Sequence, residues 1–88
     1  MKKAFRLGQI LITSNAMNKL EYEDTIVAMQ RHAACDWGES KDKELNDAAV
    51  ENGDDRIISV YRDKKGTKLW IITEADRSAT TILLPEDY

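Results

Sequence analysis

The residues best suited to chemistry fall into two short clusters. His32, Asp36 and Glu39 are spaced four and three apart. On one helix they would share a face, where an imidazole and carboxylates can hold a metal ion or act as acid and base. The spacing is weak evidence for either role. Gly38 interrupts a helix before Glu39, there is no second histidine, and Cys35 points about 100° away from Asp36 on a helical wheel. The simpler reading is a helix-end histidine favoured by the dipole, with Asp36 capping or pairing. The second cluster, Glu74, Asp76, Arg77 and Ser78, crowds one polar loop. Polar groups on a loop over a rigid sheet are where binding usually lives. Asp76 and Arg77 are the pair to meet a partner's charged group. The same Asp and Ser types also fold loops upon themselves by bonding nearby amides.

No Gly-rich phosphate loop, nucleophile elbow or Cys/His metal spacing is present, so no catalytic residue, cofactor or metal is assigned. Tyr61 and Trp70 are core residues by type, with an interface role as the alternative. Trp37 falls four residues beyond Ala33 and continues a helical stripe into the core, where its indole N–H needs a partner.

These residues need elements to position them. Leu7 to Thr13 reads as a first strand. Ser14 is placed to cap a short helix with Met17 and Leu20 on one face. Glu23-Asp24 opens a stronger helix whose apolar stripe is Tyr22, Ile26, Met29 and Ala33, with Gly38 as its stop. A third helix starts near Ser40, carries Leu45, Ala48 and Ala49 inward, and ends at Asn52-Gly53. The period then changes. Arg56 to Arg62 and Thr67 to Thr73 are β-rich, and Asp63-Lys64-Lys65-Gly66 between them is a hairpin signal. Thr80 to Leu84 is the last strand, closed by Pro85. The expected class is α+β: an N-terminal strand, two to three helices, then a three-stranded antiparallel meander in one domain spanning residues 1–88.

A hairpin turning at Gly66 sets Tyr61 against Leu69, Val60 against Trp70 and Ser59 against Ile71. One face then holds Tyr61, Leu69, Ile71, Ile82 and Leu84. The other holds Ile58, Val60, Trp70, Ile72 and Leu83. Both are apolar, whereas a half-solvated sheet alternates apolar with polar. Helices are expected on one face. The second should meet the first strand, another chain or a ligand, or else be shielded by the termini.

The chain has 88 residues, 13 basic against 16 acidic, for a net charge of −3, so it lacks the excess of positive charge that phosphate neutralisation calls for. Its 42% hydrophobic and 33% charged residues suit a folded domain rather than a disordered one. A single cysteine allows no intrachain disulfide. The Met1-Lys2-Lys3 start lacks the apolar core of a signal peptide, and no run approaches the roughly 20 apolar residues of a membrane span. A cytoplasmic protein without membrane contact is expected.

Two stretches carry a resemblance: His32-Ala33-Ala34-Cys35-Asp36-Trp37-Gly38-Glu39, and the run from Arg56 through Trp70-Ile71-Ile72-Thr73-Glu74-Ala75-Asp76-Arg77-Ser78 to Tyr88. They resemble a family of small bacterial proteins tied to plasmids and other mobile elements. The resemblance runs from Leu7 onward and implies a genomic setting rather than a mechanism, since the family brings no catalytic residues to carry over. Members usually have glycine where Cys35 stands and a Pro-Gly pair near Ser14-Asn15. The expected function is a non-catalytic protein-interaction or regulatory accessory protein of such an element, acting on a protein partner or as a homodimer through the Glu74–Ser78 loop and the second sheet face. The alternative is a small nucleic-acid-acting enzyme or toxin-like protein using His32, Arg56, Tyr61 and Arg77, which the acidic balance disfavours. A DNA-mimicking decoy ranks last, because −3 is too weak a field to imitate a duplex.

Overall fold

The structure, a computed structural model, describes residues 5–88; the Met1-Lys2-Lys3 start lies outside them. Strand β1 (Gln9–Ile12) leads into helices α1 (Ser14–Lys19), α2 (Tyr22–Ala33) and α3 (Lys43–Asn52). Strands β2 (Ile57–Arg62), β3 (Lys68–Thr73) and β4 (Ala79–Leu83) follow, and a 3-10 turn, Pro85–Asp87, ends the chain. The four strands form one sheet in the order β1-β4-β3-β2. The α+β class and the C-terminal meander are as expected. The sheet, however, is mixed: β1 lies parallel to β4, with Ile10 beside Thr80 and Ile12 beside Ile82.

Hairpin register follows the reading from Gly66, with Tyr61 opposite Leu69, Val60 opposite Trp70 and Ser59 opposite Ile71. Asp63 sets the turn. Its Oδ1 accepts the amides of Lys65 (2.9 Å) and Thr67 (2.7 Å). Helix ends differ in detail. Thr13, not Ser14, caps α1, its hydroxyl accepting the Ala16 amide. α2 ends at Ala33, well before Gly38. Cys35 takes a left-handed φ of 63°, while the Asp36 amide reaches back to the Arg31 carbonyl at 2.9 Å and Cys35's to that of His32 at 3.0 Å. That closure favours glycine at the left-handed position.

One face of the sheet packs under α1 and α2. Ala16, Leu20, Ala28, Tyr61, Leu69, Ile71, Ile82 and Leu84 make its main core, and Trp37, Ala49 and Ile57 make a smaller one near α3. The helical stripes are rotated from their sequence reading. α2 buries Thr25, Ala28 and His32 rather than Tyr22, Ile26 and Ala33, and α3 buries Asn46 and Ala49 while Leu45 stays exposed. The other sheet face is only partly covered by the C-terminal residue: Ile58, Val60 and Trp70 stay half-buried and, with Tyr88, line a cavity of about 380 Å³. The Tyr88 ring lies 5.3 Å from Trp70, and Arg56 sits over Tyr88 while donating to its hydroxyl at 2.7 Å. Ile72 and Leu83 are buried on this face. The first strand does not cover it; β1 extends the sheet sideways instead.

Candidate interaction surface

Four side chains on the helix-covered face form a buried polar relay. His32 Nδ1 meets Ser59 Oγ at 2.5 Å, and its Nε2 meets Thr73 Oγ1 at 2.9 Å. Thr73 meets Thr80 Oγ1 at 2.8 Å, and the Thr80 hydroxyl donates to the Leu7 carbonyl at 2.6 Å. The direction of every proton follows from that last bond. Thr80 has spent its hydrogen on a carbonyl, so Thr73 must donate to Thr80, and His32 Nε2–H must donate to Thr73. Nδ1 is then an acceptor, served by the Ser59 hydroxyl. Phe5 closes over the ring edge-on at 5.3 Å.

Burial therefore holds His32 neutral and lowers its pKa to about 4. The dipole-favoured, protonated helix-end histidine is not what forms. His32 and Asp36 do not meet: His32 turns into the core, while Asp36 pairs at the surface with Arg31 Nε at 2.7 Å, which lowers the carboxyl's pKa. Glu39 pairs instead with Arg62 at 3.0 Å. Among the described residues no group of three or more His, Cys, Asp or Glu side chains converges as a metal site.

The Glu74–Ser78 loop is organised from within. Arg77 sits at φ 62° with its guanidinium turned onto main-chain carbonyls. Nη1 donates to Asp55 (2.7 Å), Glu74 (3.1 Å) and Ala75 (3.1 Å), and Nη2 to Ala49 (2.8 Å) and Asp54 (3.3 Å). It thus ties the end of α3 to the β3–β4 loop. Asp76 accepts the Ser78 amide at 2.9 Å, and its bonds to Ser78 lower its pKa. Glu74 and Asp76 stay exposed, but the cation they were paired with serves the fold. Arg77→Ala should cost about 2 kcal/mol in urea unfolding, and Arg77→Lys should recover less than half, because one ammonium cannot replace a planar fork.

Tyr61 is 2% exposed and belongs to the core. Its hydroxyl donates to the Asp36 carbonyl at 2.6 Å, Arg31 lies 4.7 Å over its ring, and burial pushes its pKa up to about 12. Trp70 is half-buried against Tyr88. Tyr61 therefore offers no free aromatic platform, whereas Trp70 lines a surface cavity with Tyr88, Ile58 and Val60.

The two edges of the sheet are treated differently. The β2 edge is closed. Val60 donates to the Trp37 carbonyl (3.2 Å) and accepts the Glu39 amide (2.7 Å). The Asn46 side chain takes both backbone groups of Ile58, at 2.7 and 3.0 Å. The β1 edge has no strand against it among the described residues. Gln9 and Thr13 direct their amides to Ser78 and Ile82 of the β4 segment, both at 3.0 Å. By alternation, the N–H and C=O of Ile10 and Ile12 point outward.

Beside this edge runs an apolar groove of about 420 Å³, lined by Ile10, Ile12, Met17, Tyr22, Ile26 and Met29. Exposure is high for such side chains: Ile10 49%, Leu11 41%, Met17 62%, Tyr22 77% and Ile26 40%. The β1 segment Gln9–Ile12 carries no charge and no proline, the devices that usually protect an edge. From the sequence, Tyr22, Ile26 and Met29 form an apolar helical stripe and Ile10–Ile12 part of a first strand with no face assigned. The uninterrupted Ile10-Leu11-Ile12 run was the available signal, since a half-buried edge strand alternates with polar residues.

Fold and surface together define a class: a small α+β domain with one sealed sheet edge and one that is open among the described residues and lies in an apolar groove. Compared with known proteins, the chain matches no family model, no curated protein and no solved structure. No helix among the described residues is long and apolar enough to cross a membrane.

Proposed function

We propose that this chain is a non-catalytic protein-interaction module, receiving a β-strand from another polypeptide at the β1 edge. The observation that carries the reading is the uncharged open strand lying in a groove of exposed Ile, Met and Tyr side chains. Outward amides and carbonyls supply backbone affinity, and the groove supplies side-chain selection. Its neutral, buried histidine and inward-turned arginine favour this over the nucleic-acid enzyme, which needs those groups exposed. The setting we propose is that of an accessory protein of a mobile element, working in the cytoplasm.

The test is display selection of short extended peptides, followed by amide chemical-shift mapping of the winners. Binding should move the Ile10 and Ile12 amides most. The reading fails if no peptide is selected, or if selected peptides map to the Glu74–Ser78 loop or another surface.

A further inference from the structure

We infer that the strand received at the β1 edge is the β1 strand of a second copy of this chain, paired antiparallel about a two-fold axis through Leu11. This rests on the interaction reading above and specifies its partner.

The backbone polarity makes the edge self-complementary. Ile10 and Ile12 both present N–H and C=O outward, while Leu11 directs its own toward β4. In an antiparallel pair, residues with outward groups must face one another and exchange both bonds. Setting Ile10 against Ile12 of the second copy does this twice, by symmetry. Leu11 then faces its own counterpart as a non-hydrogen-bonded pair, the type whose side chains come closest. Neighbouring registers are worse. A shift that opposes Ile10 to Ile10 sets Leu11 against Gln9 and Ile12 against Gly8. The opposite shift sets Ile12 against Ile12 and sends Ile10 onto Ser14, the first residue of α1. Only the Leu11-centred register puts all three apolar residues on apolar residues, the condition that specifies register in buried sheets.

Pairing would make one eight-stranded sheet, with each sealed β2 edge at an outer end. It would also bring the two grooves together on the helix-covered face, because Ile10 and Ile12 share that face with Ile82. With Ile10, Leu11, Met17, Tyr22 and Ile26 each between 40% and 77% exposed, the two patches together offer on the order of 1,000 Å², close to the roughly 1,200 Å² at which specific interfaces begin. No charge on β1 is desolvated in the process.

The experiment is sedimentation of the full chain over a concentration series, with two variants. Wild type should sediment as a dimer at micromolar concentration. Leu11→Lys places two ammonium groups face to face and should weaken the dimer by about 100-fold or more. Leu11 is 41% exposed, so the monomer should keep its melting temperature. Leu11→Cys should cross-link across the two-fold under mild oxidation, whereas Ile10→Cys, which faces Ile12, should not. Wild type, with Cys35, sets the background. A monomeric wild type at high concentration, a dimer indifferent to Leu11→Lys, or equal cross-linking at positions 10 and 11 overturns the inference. If the chain is monomeric but selected peptides still map to Ile10 and Ile12, the second copy is wrong and the interaction reading survives. If no peptide touches the edge either, both fall.

Discussion

Gly38→Ala should be among the most damaging single substitutions in this chain, costing about 4 kcal/mol, which for a domain of this size lowers the melting temperature by about 20 °C. Two penalties add. Gly38 holds a φ of 65°, where an added Cβ costs about 1–2 kcal/mol by itself. The larger penalty is the space. A Cβ at Gly38 would run into the Val60 carbonyl and come within 2.6 Å of the Tyr61 ring. Neither neighbour can yield. Val60 accepts the Glu39 amide at 2.7 Å, and Tyr61 is pinned in the core by its bond to the Asp36 carbonyl. The segment must therefore lift from β2, unsealing that edge. Gly53→Ala is the control, because Gly53 has a similar φ of 71° with nothing within 4 Å of the added atom. It should cost only the backbone part. Thermal melts of both variants check the claim, and equal losses would show that the Gly38 segment is not pressed against the sheet.

His32→Ala should cost a comparable amount, about 4 kcal/mol. It removes a fully buried ring and the bonds that ring makes to Ser59 Oγ and Thr73 Oγ1, leaving Thr73 only its bond to Thr80. Wild type should also show an acid dependence with a specific window. The folded-state pKa of about 4 lies below the ordinary 6.5, so the unfolded chain takes up a proton where the folded one does not. The stability contribution is fully present above pH 6.5, falls as pH drops from there through about 4, and is then exhausted. Its full size is about 3 kcal/mol. Asp36, Asp76 and Asp87 also have lowered pKa values. Their contributions are present above the ordinary carboxyl value of 3.8 and are lost as pH falls through their still lower folded values. A loss between pH 6.5 and 5 therefore belongs to His32. Urea unfolding across that range should show it in wild type, and the slope should vanish in His32→Gln. A wild type flat over the same range would mean that the ring accepts a proton in place.

One prediction turns on a close backbone approach at the β2 edge and the other on polar groups inside the core, and the sequence was legible to different depths around them. Hairpin register came through because it depends on neighbours in the chain: Gly66 and the apolar residues on each side leave one good pairing. The left-handed end of α3 at Gly53 was legible for the same reason. His32, Ser59, Thr73 and Thr80 were each visible as residues but not as a relay. Their sequence separations, 27 from His32 to Ser59 and 41 to Thr73, are bridged only by folding. Helical stripes misled where they were most regular. Tyr22, Ile26 and Ala33 repeat well, yet α2 turns Ala28 onto the apolar core and His32 onto Thr73 and Ser59, while Thr25 bonds back to the Tyr22 carbonyl of its own helix.

What the amino-acid order determined by itself was local: which segments are helix or strand, where they turn, and which residues face one another across the hairpin. Short-range sterics and hydrogen bonding decide these before distant segments meet. What only the tertiary structure decided was the fate of each surface. The last residue packs beside Trp70, Arg77 faces inward, the Gly38 segment seals β2, and β1 joins β4 with no strand on its outer side among the described residues. Those outcomes depend on which distant groups compete for the same backbone amides, carbonyls and apolar area, and that competition is settled only when the whole chain packs.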